Sequence, residues 1–441
     1  MQEAGYGPNK KLSVKIQTSA SGSGQMLPLP MNEYLQQALA ECYFDVQLDV
    51  IEWNTLFTNW RRGANDPTAN GANATNVTIS TMDPFFALVR FLSSSMAPPV
   101  SNNWGFINNP KFDELVKKVN VVVTGATGQV AYALLPRIAA GEMFGPDTEV
   151  DLRLSDIPQM IDKAKGVVME LEDGAYPLLS RVSASADRAE THGAADWVLL
   201  VGSVPRGPGM ERGDLILKNG PIFVEEGKAI AKHAAQRVRV VVVGNPCNTN
   251  CLIARANARS VSDDRWSAMT RLDHNRARSL LANKAGARVK DVKKLAIWGN
   301  HSATLYPDFT NATVNGKPAS DVVDRAWLEK DFIPAVQQRG AAVIAARGAS
   351  SAFSAAQALI DHVRSLVTPT PPGDCFSAAI VSDGTYDVPK GLVSSFPLHS
   401  KGDGGYEIVR GVKLDRFAME KLAGTIAELE KERELVKDLL T

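Results

Sequence analysis

Two groups of residues at the ends of the stretch from Met269 to Ser302 could do proton chemistry on an anionic substrate: Arg271, Asp273 and Arg276, then Asn300, His301 and Ser302. An imidazole held by a carboxylate keeps one tautomer and can pass a proton to or from a bound oxygen. An arginine beside it offers a carboxylate two parallel charge-assisted bonds. If Asp273 meets His301, the stretch is the acid–base half of a catalytic site, with Arg276 as an anion holder. Alone, an Asp and a His this far apart are more often structural. A helix-like segment and a strand separate the two groups, so the surrounding elements must bring them together.

Those elements start at Val119. The run VNVVVTGATGQVAYALLPRIAAGE is a β-branched strand, the turn Gly125-Ala126-Thr127-Gly128-Gln129-Val130-Ala131, and a helical pattern. Small residues in such a turn let the backbone approach a pyrophosphate, and the helix N-terminus faces its charge. A second strand, Glu149 to Leu154, runs into Asp156, an acid placed to accept bonds from ribose hydroxyls and to repel the extra phosphate of NADP. A third, Ala195 to Gly202, leads into a Pro- and Gly-rich loop carrying Arg206 and Arg212, and a fourth, Val238 to Val243, ends at Gly244 and Asn245. The order predicts a doubly wound α/β fold with its ligands at the C-terminal edge of the sheet. Asn245 could offer its amide to both substrate and nicotinamide.

Beyond this half, Trp298 to Pro318 reads as strands with turns, and Asp324 to Arg347 and Ala352 to Leu366 as helices. Phe376 to Val381, Leu392 to Phe396 and Tyr406 to Ile408 read as a meander. Arg416 to Leu440 reads as a long helix whose charges, ELEKERELVKD, form a solvated face. This second half is predicted to be an α+β domain.

Lys+Arg and Asp+Glu both total 48, so no global field draws the chain to nucleic acid or an anionic membrane. The four cysteines complete no zinc pattern, and no metal is expected. The start, MQEAGYGPNKK, has no apolar leader, and no run approaches the roughly 18 apolar residues of a membrane span, so the expected compartment is the cytoplasm. Before Val119, Lys11 to Thr18, Met31 to Glu41 and Phe44 to Glu52 predict a βαβ unit, and the chain after Trp53 is expected to be loop-rich.

Taken in order, VTGATGQVAYALL, LSDIPQ with VMELEDGAYPLL, PRGPGMERGDLI, VGNPCNTN, MTRLDHNRA and IWGNHS resemble the malate dehydrogenases of the lactate/malate dehydrogenase superfamily. The resemblance runs from about residue 119 to the C-terminus. It implies an NAD-binding Rossmann domain over 119–269, a catalytic domain over 270–441, and reversible hydride transfer between malate and NAD giving oxaloacetate and NADH. It further implies that His301 is the proton donor and acceptor, oriented by Asp273. Arg206 would grip the distal carboxylate, Arg212 polarise the carbonyl and Arg276 hold the near carboxylate. The turn Gly125 to Ala131, Asp156, Asn219, Val243 and Gly244 would contact NAD, with Asn245 serving substrate and cofactor, and the family's association implies a homodimer. Ala131 replaces a usual glycine, Glu226 stands where a Gln is common, and Phe353 where smaller residues are usual. Another 2-hydroxy acid dehydrogenase, such as one acting on lactate, is the near alternative.

Residues 1–118 resemble something else. ECYFDVQLDVIEWNTLFTNWRRGANDPT, MDPFFALVRF and APPVSNNWGFINNPKFDELV are similar to the C-terminal lobe region of periplasmic oligopeptide-type solute-binding proteins of ABC importers. The similarity covers a fragment of that family, which implies an α/β remnant without a complete binding cleft, joined by fusion or by a gene-assembly accident. A peptide-binding, transport-related protein is the alternative that this segment alone supports.

Overall fold

The computed structural model describes residues 1–21, 27–76, 91–92, 94, 97–98, 103–110, 117–205 and 209–440. They fall into two units, Met1–Lys117 and Lys118–Thr441.

In the first unit, β1 (Leu12–Ser19), α1 (Pro28–Glu41) and β2 (Phe44–Ile51) make the expected βαβ unit. β1 pairs in parallel with both β2 and β3 (Ala74–Asn76). The chain after Trp53 is more regular than expected, because α2 (Trp53–Trp60) forms there. Its N-cap is Glu52, whose carboxylate accepts from Asn54 N at 3.0 Å and Thr55 N at 2.9 Å. Trp60 and Trp104 are buried together with Ala69 and Ala72. The aromatic run at residues 83–86 lies outside the described residues.

The second unit opens on alternating valines. In β4 (Lys117–Thr124), Val121 and Val123 enter one hydrophobic core and Val122 the other, and none exposes any surface. A strand covered on both faces has no polar side, which is why the sequence reads as an unbroken β-branched run. There follow α3 (Gln129–Ala139), β5 (Thr148–Ser155), α4 (Ile161–Asp173), β6 (Leu179–Ser185), α5 (Arg188–His192), β7 (Trp197–Leu200), α6 (Arg212–His233), β8 (Arg239–Val242), α7 (Cys247–Ala256) and β9 (Trp266–Ala268). The chain continues through α8 (Arg271–Lys284), β10 (Ala296–Trp298), β11 (Tyr306–Asp308), α9 (Ile333–Arg347) and α10 (Phe353–Val367). It closes with β12 (Phe376–Val381), β13 (Val393–His399), β14 (Glu407–Ile408) and α11 (Arg416–Leu435).

A single sheet of nine strands, in the order β14-β13-β12-β9-β8-β7-β4-β5-β6, runs through the unit. From β9 to β6 the order is that of a doubly wound dinucleotide fold, with its reversal between β4 and β7. The meander forms as expected but not as a separate layer. β12 pairs antiparallel with β9 through Ala379↔Ala268 and Ile380↔Ser267, so the C-terminal strands extend the nucleotide-domain sheet.

The last helix departs further from expectation. Ala418, Leu422, Thr425, Leu429 and Glu432 are buried at alternating spacings of four and three, so α11 packs a full stripe inward and its charges are not all solvated. It also ends at Leu435, short of Leu440, with a 3-10 turn after it. Among the described residues, no helix is long and apolar enough to cross a membrane.

Candidate active site

The glycine turn sits where the strand order reverses. Gly125 has φ +60°, and a Cβ built on it would lie 2.5 Å from Gly202 Cα at the end of β7. The two strand ends approach this closely because neither carries a side chain. Gly128 caps α3 without a side-chain bond, leaving first-turn amides to an incoming anion. Ala126 and Ala131 are buried, Val130 is half-buried and Gln129 is exposed. Asp156 follows β5 as expected and binds the turn itself: Thr127 donates to Oδ2 from N at 3.0 Å and from Oγ1 at 2.8 Å, and Ile157 N donates to Oδ1 at 2.9 Å.

A second close approach lies at the end of β8. Val243 N and Gly244 N both donate to Leu200 O, at 2.9 and 3.0 Å, and a Cβ on Gly244 would meet Ser203 Cβ at 2.9 Å. Asn245 exposes its side chain. Asn219 is fully buried behind this turn, with Oδ1 accepting Val204 N at 2.8 Å and Nδ2 donating to Val204 O at 3.2 Å and Asn245 O at 3.0 Å. It braces the chain after β7 against the turn after β8. Two backbone cradles that a Cβ would fill, with a carboxylate at the end of the second strand, fit a dinucleotide.

On the other side, Asp273 and His301 meet. Asp273 lies in the first turn of α8, 1% exposed, and its Oδ2 bonds His301 Nδ1. Its Oδ1 accepts Arg276 Nη1 at 3.4 Å, and Arg276 Nη2 donates to Ser351 Oγ at 3.2 Å. Burial lowers the pKa of Arg276 against the opposing pull of Asp273.

The loop carrying His301 is fixed from behind. Gly299, at φ +87°, leaves no room for a side chain, since its Cβ would lie 2.0 Å from Thr425 Cγ2. Asn300 N donates to Thr425 Oγ1 at 2.9 Å, and His301 N to Asn248 Oδ1 at 3.0 Å. Asn248, fully buried, returns bonds to Gly299 O at 3.3 Å and Val393 O at 2.9 Å. Neither Asn248 nor Thr425 was singled out by the sequence. Burial pushes the neighbouring Cys247 thiol up to about 12, so it stays protonated and is no nucleophile.

Arg212, expected on a loop, is the first residue of α6. The helix starts there because the Asp214 carboxylate accepts Glu211 N at 3.1 Å. Its Nε donates to Glu432 Oε1 at 2.6 Å, Nη2 to Asn300 Oδ1 at 3.3 Å and Nη1 to His301 O at 3.4 Å. Arg206 lies outside the described residues. Glu226 has a structural use: it is buried with Arg188 Nε at 2.8 Å and His192 Nε2 at 3.1 Å. Burial raises its pKa, but His192 and Arg188 more than offset this and hold it below the ordinary value. Phe353 is 81% exposed at the start of α10.

Comparison with known proteins finds relatives of the second unit. Residues 119–264 match the family model of the lactate/malate dehydrogenase NAD binding domain, and residues 270–440 that of the lactate/malate dehydrogenase alpha/beta C-terminal domain. A malate dehydrogenase of Magnetococcus marinus is 56% identical over 323 residues, which cover 73% of this chain and 98% of that protein. Among solved structures, malate dehydrogenase from Naegleria fowleri is 42% identical with a TM-score of 0.71, covering 74% of this chain and 99% of that one. Trichomonas vaginalis lactate dehydrogenase, solved with NADH and oxamate, is 36% identical with a TM-score of 0.70, covering 73% and 99%. Residues before 119 form an α/β segment that none of these findings identifies as a solute-binding protein. From residue 119 onward the chain belongs to the lactate/malate dehydrogenase family, as an NAD-dependent malate dehydrogenase.

Proposed function

We propose that the chain interconverts malate and oxaloacetate with His301 as acid and base, and the contact of Asp273 with His301 beside Arg276 carries that reading. Asp273 holds the proton on Nδ1, which leaves Nε2 to protonate the carbonyl oxygen during reduction and to take the hydroxyl proton during oxidation. Asp273 also stabilises the imidazolium formed in the second direction. A nicotinamide held beside that carbon would supply the hydride chemistry, as acceptor in the form of NAD and as donor in the form of NADH. The turn Gly125 to Ala131, with Val243 and Gly244, would line the pyrophosphate and nicotinamide, and Asp156 the ribose. Asn219 would act on the cofactor from behind, through the backbone it braces, while Asn245, exposed in the turn after β8, would serve both substrate and cofactor.

Arg276 would hold the near carboxylate and Arg212 the reacting carbonyl. Arg206 would hold the distal carboxylate, a role supported by its place in PRGPGMERGDLI. A substrate with one carboxylate would leave that charge unpaired, which favours malate over lactate. We further divide the enzyme into 119–269 and 270–441 and infer a homodimer, supported by the apolar surface of Tyr132 on α3 and Met169 on α4, 53% and 61% exposed. All four cysteines are unbridged, which suits a reducing compartment such as the cytoplasm. The parallel βαβ arrangement supports reading residues 1–118 as part of a solute-binding lobe.

Oxaloacetate-dependent NADH oxidation, compared with pyruvate at the same concentration, tests the main reading. Oxaloacetate is expected to be the better substrate by about 10²-fold or more in kcat/KM. Protein that binds NADH yet turns over neither substrate would sink it.

A further inference from the structure

We propose that Glu432 is a positioning residue of the reaction, its buried carboxylate setting the guanidinium of Arg212 and, through Asn300, the loop that carries His301. This rests on the reading of Arg212 as the group that polarises the carbonyl.

Glu432 comes from α11 and is 6% exposed, so protein donors must replace the water its charge has lost. It receives three, each from a different element. Arg212 Nε, on the first turn of α6, lies 2.6 Å from Oε1, and Asn300 Nδ2, on the loop after β10, lies 3.0 Å from the same oxygen. Thr249 Oγ1, on α7, donates to Oε2. One carboxylate thus ties together the helix bearing the polarising arginine, the residue before His301, and the helix that follows the Asn245 turn.

The geometry at Arg212 gives this tie its effect. A guanidinium on a long flexible stem can present several edges, and only one arrangement meets a carbonyl placed for His301. Glu432 occupies the Nε edge, and the outer nitrogens are left beside Asn300 Oδ1 at 3.3 Å and His301 O at 3.4 Å. The arrangement repeats what Asp273 does on the opposite side, where a buried carboxylate fixes His301 and contacts Arg276. Glu428, one turn earlier, accepts from Asn300 Nδ2 at 2.9 Å and Thr304 Oγ1 at 2.6 Å, and so steadies the same loop without touching Arg212.

The test compares Glu432→Gln in two backgrounds, the full-length enzyme and Arg212→Lys. Gln can still accept from Arg212 Nε and Asn300 Nδ2 and donate to Thr249 Oγ1, so the fold is expected to survive while the charge is lost. In the native background kcat for oxaloacetate reduction should fall about 10- to 100-fold, with the KM for oxaloacetate and the Kd for NADH within about 3-fold, as expected for a contact realised in the transition state. In the Arg212→Lys background, where kcat is already low, Glu432→Gln should cost clearly less than it does alone, about 2- to 5-fold, because the share acting through Arg212 is already lost and only the share through Asn300 remains. If Glu432→Gln does not yield soluble protein, Glu432→Asp, which keeps the charge but withdraws it, is expected to give the same non-additivity with a smaller loss in kcat. A native kcat in Glu432→Gln while Arg212→Lys is impaired would overturn the proposal. So would an equal loss in both backgrounds, the mark of a merely structural role. Full activity in Arg212→Lys would instead strike the assignment of Arg212, and the proposal with it.

Discussion

The two sides of the site are built from opposite materials. On the cofactor side, apart from the Asp156 carboxylate, the working parts are backbone and absent side chains: Gly125 against Gly202, Gly244 against Ser203, and the start of α3, where Gly128 offers no capping side chain. On the substrate side they are charges, and those within the described residues are backed by buried carboxylates, Asp273 behind His301 and Glu432 behind Arg212. The first kind of site depends on shape and fails when something is added. The second depends on charge and fails when something is neutralised. Substitutions on one side should therefore register in cofactor affinity and on the other in turnover.

The sharpest separation is expected from Asp273→Asn. It preserves volume but removes the charge that fixes the His301 tautomer, and should lower kcat by about 10²- to 10⁴-fold with the Kd for NADH nearly unchanged. An equally large loss of NADH affinity in a fluorescence titration would mean that the two sides are not separable. Arg206→Gln comes next: kcat/KM for oxaloacetate should drop about 10- to 100-fold and preference move toward pyruvate. If steady-state assays found preference unmoved, the role of Arg206 would be misassigned.

The cofactor side should answer to bulk. Gly125→Ala places a methyl 2.5 Å from Gly202 Cα at a φ of +60°, and should weaken NADH binding about 10-fold while leaving kcat at saturating NADH within a few-fold. A native Kd in this variant would show the cradle to be looser than it looks. The smallest effect is expected from deleting residues 1–117, since every site residue named above belongs to the second unit. Activity should stay within about 2-fold, and the thermal midpoint of the dehydrogenase unit should hold, because that unit has its own cores. A large loss of activity would mean that the first unit supports the second.

How much of this was legible beforehand depends on where each residue's partners lie. The turn from Gly125 to Ala131 could be read because its strand, glycines and helix are consecutive in the chain. Asp273 and His301 were legible as types, and the ordered motifs around them supplied the expectation that they meet. Asn248 and Thr425 were not: both are ordinary polar residues whose work is bonding the backbone of the His301 loop, 53 and 125 residues away in sequence. The charge density of its helix makes Glu432 read as part of a solvated face. The available signal was phase, since Glu432 continues the stripe of Leu422, Thr425 and Leu429 at core spacing. The local Pro and Gly make Arg212 read as a loop residue and obscure the capping role of Asp214. The nine-stranded sheet is not legible in the sequence, because antiparallel pairing of β9 with β12 joins segments that no local pattern connects.

That pairing also bears on how the chain is made. When β9 leaves the ribosome its outer edge has no neighbour, and the residues that will cover it, Ala379 and Ile380, are synthesised more than a hundred residues later. At roughly 5 to 20 residues per second the edge stays open for about 6 to 20 s. An open edge is a template for pairing with another nascent chain. β9 is only three residues long, Trp266–Ala268, and so short a rim offers a foreign strand little to grip while its own partner is still being made.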